Sequence, residues 1–247
     1  MRSASMRDAT ATSRSTTASD GGRRGHDTGG WSQAETSVYR TLYDRPTLLD
    51  LAGDVEGQQV LDASCGSGCY AEELLRRGAS VTALDASPAL VDMARHRLGS
   101  TASVRVHDLA TPLTWVPDGR FDLVVLALVL HRLDDRCGTL QELHRVLATS
   151  GRLVLSTHHP MLDWLRFGGS YFDVERVEDE WDPGPSVTFW RRPLSDTVNE
   201  LADVGFVVER LVEPQPSQEV RRSDPVAYAS LTQRPAFVAM RLAKRVA

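Results

Sequence analysis

The chain has 247 residues, 41% of them apolar and 25% charged, a balance that suits one medium-sized domain with a full core. Its 33 acidic side chains against 28 basic ones leave a formal charge of −5, which argues against a general nucleic-acid binder with a basic face. Three cysteines (Cys65, Cys69 and Cys137) make no disulfide framework and suit a reducing cytosol, so a cytoplasmic location is expected. No apolar run reaches the roughly 20 residues of a membrane helix, and no signal-peptide core follows Met1.

Residues 1–30 are rich in Ser, Thr, Gly and Arg and nearly devoid of large apolar side chains, so a disordered tail is expected there, with the domain starting near Trp31. Val38, Leu42, Leu49 and Leu51 predict a helix over 34–52. A strand then ends near Leu61, small residues turn, and 70–77 reads as a helix stopped by Gly78. Next come a strand over 81–84, a helix opened by Ser87-Pro88 and closed at Gly99, and a strand over 104–106. The unbroken apolar run 123–130 predicts a central strand covered on both faces. Leu140, Leu143 and Leu147 predict a helix ended by Ser150-Gly151, followed by a strand over 153–156. A helix over 194–204 and strands over 206–212 and 237–242 complete the pattern, an alternation that predicts a parallel α/β sheet.

The chemistry concentrates in Val60-Leu61-Asp62-Ala63-Ser64-Cys65-Gly66-Ser67-Gly68 and in Asp85 beyond it. A strand, a glycine turn and a helix start form a cradle where the backbone can approach a cofactor and free N–H groups meet it. Asp85, at the end of the following strand, can hold two ribose hydroxyls. Gly66, Gly68 and Ala71 also fit the dinucleotide pattern G-x-G-x-x-G/A, which keeps an NAD-dependent oxidoreductase as an alternative. Asp62 decides between them: a carboxylate at the strand end repels a pyrophosphate but suits the ammonium of a methionine moiety. Cys65 and Cys69 read as small turn residues; neither they nor any other cluster has metal-ligand spacing, and no metal is expected.

With V-L-D-A-S-C-G-S-G at Val60–Gly68, A-L-D-A-S-P around Asp85, the dipeptide Asp108-Leu109, and F-D-L-V-V-L-A-L-V-L-H-R-L from Phe121, the sequence resembles the class I S-adenosylmethionine-dependent methyltransferases, in particular the small-molecule branch called type 11. The likeness runs from about Tyr43 to about Thr157. It implies a Rossmann-like, seven-stranded, mostly parallel sheet with helices on both faces and an aromatic-rich insertion after the fifth strand. It also implies S-adenosyl-L-methionine as cofactor, with Asp62, Gly66 and Gly68 at the methionine part and Asp85 and Ala86 at the ribose. Asp108 and Leu109 fall at the adenine, and Ser64, Ala127 and the N-terminal aromatic Tyr43 against the remainder. The family usually has glycine where this chain has Ser64.

Between 157 and 193 the pattern breaks and aromatic residues gather, among them Trp164, Tyr171, Trp181, Phe189 and Trp190. The stretch 158–193 reads as a substrate lid, with Trp164, Tyr171 and Trp181 as acceptor contacts, or as a satellite cluster supporting a loop. Methyl transfer needs a base only where the acceptor atom carries a proton, and His131, His158 and His159 at strand ends are the candidates. Successive side chains of a strand face opposite ways, so at most one of His158 and His159 enters a common pocket. His107 reads as structural. The expectation is a methyltransferase acting on O, N or C of a small organic molecule in specialised metabolism. The alternative on the same fold is a cofactor-binding protein or a catalyst that does not methylate.

Overall fold

The computed structural model describes residues 37–180 and 186–245; the tail 1–30, Trp31 and Trp181 lie outside the described residues. A π-helical turn, Tyr39–Asp44, runs into helix α1 (Arg45–Ala52). Strand β1 (Gln59–Ala63) leads through the glycine loop to α2 (Cys69–Arg76), and β2 (Ser80–Asp85) leads to α3 (Pro88–Leu98) and β3 (Ser103–Val106). Then follow β4 (Phe121–Ala127), a 3-10 turn at Leu130–Arg132, α4 (Arg136–Val146) and β5 (Leu147–His158). The insertion folds as helix α5 (Pro160–Phe167) and a hairpin of β6 (Glu175–Glu180) and β7 (Ser186–Arg191). The C-terminal part is α6 (Leu194–Val204), β8 (Phe206–Val212), α7 (Gln218–Ser223), α8 (Pro225–Leu231) and β9 (Phe237–Lys244).

One seven-stranded sheet has the order β3-β2-β1-β4-β5-β9-β8. The first five strands are parallel, and β9 lies antiparallel between β5 and β8. Alternation along the strands divides the core. Val60, Leu123, Val125 and Val154 pack with Leu48, Leu74 and Val91 on one face, while Leu61, Val124, Leu126 and Leu155 pack with Leu140, Leu143 and Leu201 on the other. Each such fully buried side chain stabilises the fold by about 1.5–3 kcal/mol. The order in which the chain lays down strands reverses between β1 and β4, which opens a crevice at the carboxyl ends where ligands bind in such folds.

Three local expectations are corrected. The central strand stops at Ala127 rather than at residue 130, because Leu128 takes the left-handed conformation (φ 53°). Its N–H donates to the Ser156 carbonyl at 3.0 Å and to Ser156 Oγ at 3.2 Å, which fixes the turn. Helix α4 ends at Val146, and Leu147 already belongs to β5. There Leu147 opposes Phe121 and Arg152 opposes Leu123, so Ser150-Gly151 sits in a bulge inside a strand instead of ending a helix. The insertion, read only as aromatic-rich, carries a helix and its own two-stranded sheet, and α7 and α8 fall where no helix is predicted.

Candidate functional site

The glycine loop is built almost wholly from backbone. Ser64 and Cys65 donate their N–H groups to the Leu84 carbonyl at 2.9 and 2.8 Å, bending the chain sharply off β1. Ser64 (φ 85°) and Gly66 (φ 56°) are both left-handed, which explains why glycine is usual at position 64. The Asp85 carboxylate spans two loops: Oδ2 accepts from the Gly66 N–H at 3.0 Å and Oδ1 from the Ser87 N–H at 2.9 Å. One acid thereby fixes both walls of the crevice. Gly68 does other work. A Cβ there would meet the Cβ of Ala94 at 3.2 Å, so this glycine admits α3 rather than facing the cleft.

The main cleft is lined by Ser64, Gly66, Asp85, Ala86, Asp108, Leu109 and Ala127 of the predicted cofactor set. Leu90, Leu128, Val129, Leu133, His107 and two arginines, Arg40 and Arg132, join them. His107, read as structural, borders the cleft while its Nε2 lies 3.1 Å from the Thr111 carbonyl. Burial and the neighbouring Arg40 bring Arg132 down to about 9. A smaller hollow shares Arg40, Ser64, Gly66, Ala127 and Leu128 with this cleft and adds Asp44, Arg45, Cys65, Cys69 and Tyr70. Its wall holds a buried acid, Asp44, whose Oδ2 accepts from the Tyr70 hydroxyl at 2.6 Å. Burial raises the Asp44 carboxyl and, with Asp44 beside it, the Tyr70 phenol.

Asp62 lies beneath the loop at zero exposure. Neither of its carboxylate oxygens accepts a hydrogen bond of ordinary geometry; the Ala71 N–H is the donor that acts on it. Burial, reinforced by the charge of Asp85, raises its carboxyl to about 7. A buried acid without a partner costs about 1–3 kcal/mol or more, and a ligand cation would supply the missing partner. The acids at the strand ends thus fit a cofactor that brings an ammonium and a ribose, and a pyrophosphate would sit badly over Asp62.

Besides Gly68 and the sunken Asp62, one more member of the predicted cofactor set stands outside the cleft lining. Tyr43 is not in the cleft. It is buried, its hydroxyl donates to the Pro214 carbonyl at 2.8 Å and accepts from the Ala236 N–H at 3.4 Å, and burial pushes it up to about 12. It packs on Phe237 as a strut between the N- and C-terminal parts. Arg40 and Asp44, one helical turn apart and beside it, are the residues of that segment that line the hollow, and nothing in their local pattern separates them from an ordinary solvated helix face.

The histidines divide. His131 and His158 stack with centroids 3.8 Å apart and planes at 18°, roofed by Phe189, whose ring stands edge-on to both. His131 Nδ1 lies 3.2 Å from Thr157 Oγ1; burial, then His158 and the cations Arg132, Arg40 and Arg136, lower its pKa well below the usual histidine range. His159 points away: it caps α5 by accepting from the Met161 N–H, and its Nε2 lies 2.9 Å from Glu213 Oε1. Trp164 and Tyr171 do not line the cleft either. Trp164 Nε1 donates to the Gly169 carbonyl at 3.1 Å, and Tyr171 Oη accepts from the Leu194 N–H at 3.2 Å, so both hold the insertion's own loops. Phe189 and Phe237 are the aromatics that close against the histidine pair, and Phe167 packs behind Phe189. Among the described residues no group of three or more His, Cys, Asp or Glu is placed to hold a metal ion, and no helix is long and apolar enough to cross a membrane.

A strand order reversed between β1 and β4, a glycine loop tied to Asp85, and a sunken acid at the end of β1 define the class I methyltransferase fold, whose methyl donor is S-adenosylmethionine. Comparison with known proteins agrees: the family model described as "Methyltransferase domain" matches residues 61–155, and the chain carries a class I, S-adenosylmethionine-dependent methyltransferase domain. It is 39% identical over 121 residues to a ubiquinone biosynthesis O-methyltransferase of Xanthomonas oryzae pv. oryzae, covering 45% of this chain and 49% of that protein. To a malonyl-[acyl-carrier protein] O-methyltransferase of Serratia marcescens it is 33% identical over 124 residues, 50% of this chain and 47% of the other. The chain thus spans about half the length of these named relatives. Its fold is similar to the crystal structure of an S-adenosylmethionine-dependent methyltransferase from Mesorhizobium loti, with a TM-score of 0.67, 22% identity, and coverage of 84% of this chain and 98% of the other.

Proposed function

We propose that the chain transfers the methyl group of S-adenosylmethionine to oxygen, nitrogen or carbon of a small organic acceptor in specialised metabolism. The observation that carries this reading is Asp62, a fully buried carboxylate without an ordinary hydrogen-bond partner, under the influence of the Asp85 charge that lines the cleft. When bound, the cofactor supplies a sulfonium methyl that is already electrophilic. The residues then have three tasks. Asp62 holds the ammonium, with Arg40 near the methionine carboxylate and Gly66 approaching by its backbone. Asp85 holds the ribose hydroxyls, and Asp108 with Leu109 meets the adenine. We assign the acceptor's proton to the His131–His158 pair, which Phe189 shields from water. The names of the curated relatives support oxygen as the acceptor atom.

The test is calorimetric titration with S-adenosylmethionine, S-adenosylhomocysteine and NAD, followed by an acceptor screen read by stoichiometric S-adenosylhomocysteine release. Micromolar affinity for the sulfur cofactors with acceptor turnover is expected. Binding without turnover on any acceptor class would favour a catalyst that keeps the cofactor without transferring its methyl group, and preference for NAD would overturn the reading.

A further inference from the structure

His158 is the last residue of β5, at the carboxyl edge of the sheet. Its Nδ1 lies 3.4 Å from Oδ1 of Asp163, an acid in the first turn of α5 whose side chain is only 8% exposed. The stacked partner, His131, is sealed at 4% exposure and directs Nδ1 at Thr157, whereas the His158 side chain keeps 18% of its surface open. So the pair is asymmetric. One imidazole is enclosed among cations; the other has a buried carboxylate 3.4 Å from one nitrogen and a ring that is not fully sealed. A carboxylate behind one ring nitrogen, with the second nitrogen free to accept, is the arrangement that holds a histidine in the tautomer of a general base. The distance is longer than an ideal hydrogen bond, as is common for such pairs before a ligand closes the site.

We propose that His158, oriented by Asp163, takes the proton from the acceptor, and that the acceptor presents a hydroxyl. This rests on the methyl-transfer reading above. In the step, the acceptor oxygen forms its bond to the methyl carbon while the carbon–sulfur bond breaks with its electron pair going to sulfur. The hydroxyl proton passes to His158 Nε2, and Asp163 balances the imidazolium until the proton leaves to water. His131 does not share the proton, because burial, His158 and the charges of Arg132, Arg40 and Arg136 all oppose a positive charge there. Phe189 on β7 and Phe237 on β9 face His158 with apolar rings, so Asp163 is the charged group that can answer its protonation. The acceptor class follows from charge. A carboxylate needs no base, and an ammonium acceptor would enter beside Arg40 and Arg132, which line the adjoining cleft. A neutral hydroxyl is the acceptor that has a proton to give to a base.

The experiment uses the full chain with matched acceptor panels: phenols, the corresponding anilines, and benzoates. Phenols are expected to turn over and the other two to lag. His158→Gln is expected to lower kcat about 100-fold or more with little change in KM, and Asp163→Asn about tenfold with a displaced acid limb of the kcat–pH profile, partly restored in Asp163→Glu. His144→Gln, on the far face against Phe206, serves as control. Nitrogen-edited NMR of the protein loaded with S-adenosylhomocysteine should show His158 protonated on Nδ1, and a tautomer shift in Asp163→Asn, whether or not turnover is found. Anilines or benzoates as the preferred panel, unchanged kcat in His158→Gln, or a His158 tautomer indifferent to Asp163 would each overturn the proposal. Cofactor binding with no turnover on any panel would instead strike the methyl-transfer reading itself.

Discussion

The two sides of the sheet's carboxyl edge are made of different material. Along β1 and β2 the site is backbone: amides of residues 64–66, two left-handed residues, and one acid, Asp85, accepting two N–H groups. Along β4 and β5 it is side chain: two stacked imidazoles, a threonine, Asp163 from the insertion's helix α5, and Phe189 arriving from β7. A site made of backbone needs residues of fixed type at fixed spacing. A site made of packed side chains needs only complementary shapes brought together from far along the chain, and many residue combinations satisfy it. The proposed cofactor side is thereby the constrained half of this molecule, and the proposed acceptor side the variable one.

Substitutions can break or sharpen this contrast. The largest effect is expected from Asp85→Ala, which removes the proposed ribose acceptor and unties Gly66 from Ser87; cofactor affinity should fall about 100-fold, corresponding to the ~3 kcal/mol of hydrogen bonds to a charged group. Unchanged affinity by calorimetry would dissolve the backbone-site argument. Phe189→Ala should act on the other half alone. Losing a buried aromatic ring there should cost about 3 kcal/mol in denaturant unfolding, with cofactor affinity within a factor of a few of the parent. Equal loss of affinity would mean that the halves are not separable.

Asp62 gives a pH signature. A carboxyl raised to about 7 must lose its proton to hold an ammonium, so cofactor affinity should fall by up to about tenfold per pH unit below 7 and level off above it. Calorimetry on Asp62→Asn should show weak binding without that dependence. The same raised carboxyl makes the cofactor-free protein less stable as pH climbs from the unfolded value near 4 through 7, since the unfolded chain releases the proton first. Asp62→Asn should therefore melt higher than the parent at pH 8 and not at pH 4. The smallest expected change is Ser64→Gly, which relieves a left-handed serine and should stabilise the fold by about 1 kcal/mol while leaving the loop's hydrogen bonds intact. Destabilisation would show that the serine hydroxyl contributes what its backbone conformation costs.

What the sequence discloses follows the same division. Asp62, Ser64, Gly66 and Asp85 are legible because a tight turn between strand and helix restricts residue types locally, and α6 and β8 are read to the residue because their periodicity is unbroken. Arg40, Asp44 and Arg132 are not legible: each is a charged residue in a helical stretch, and only the packing of distant segments turns it inward. Tyr43 misleads for the same reason, since its hydroxyl partners Pro214 and Ala236 lie 171 and 193 residues away. Trp164 and Tyr171 show that aromatic density marks an insertion without saying which ring faces a ligand; their polar atoms bind nearby backbone, and it is Phe189, less conspicuous in sequence, that reaches the histidines.

The strut made by Tyr43 also sets a schedule. A chain emerging from the ribosome completes β1, the glycine loop, β2 and Asp85 within its first third, all from neighbours in sequence. The segment bearing Arg40 and Asp44 is synthesised earlier still, yet the hydroxyl that pins it waits for Pro214 and then Ala236. Nascent chains halted before Pro214 would thus carry every motif of the cradle and the Asp44–Tyr70 bond, yet lack the strut that pins Tyr43. Domains assembled from such distant contacts close late. The first described helical segment of the chain is thus held by the last contacts the chain makes.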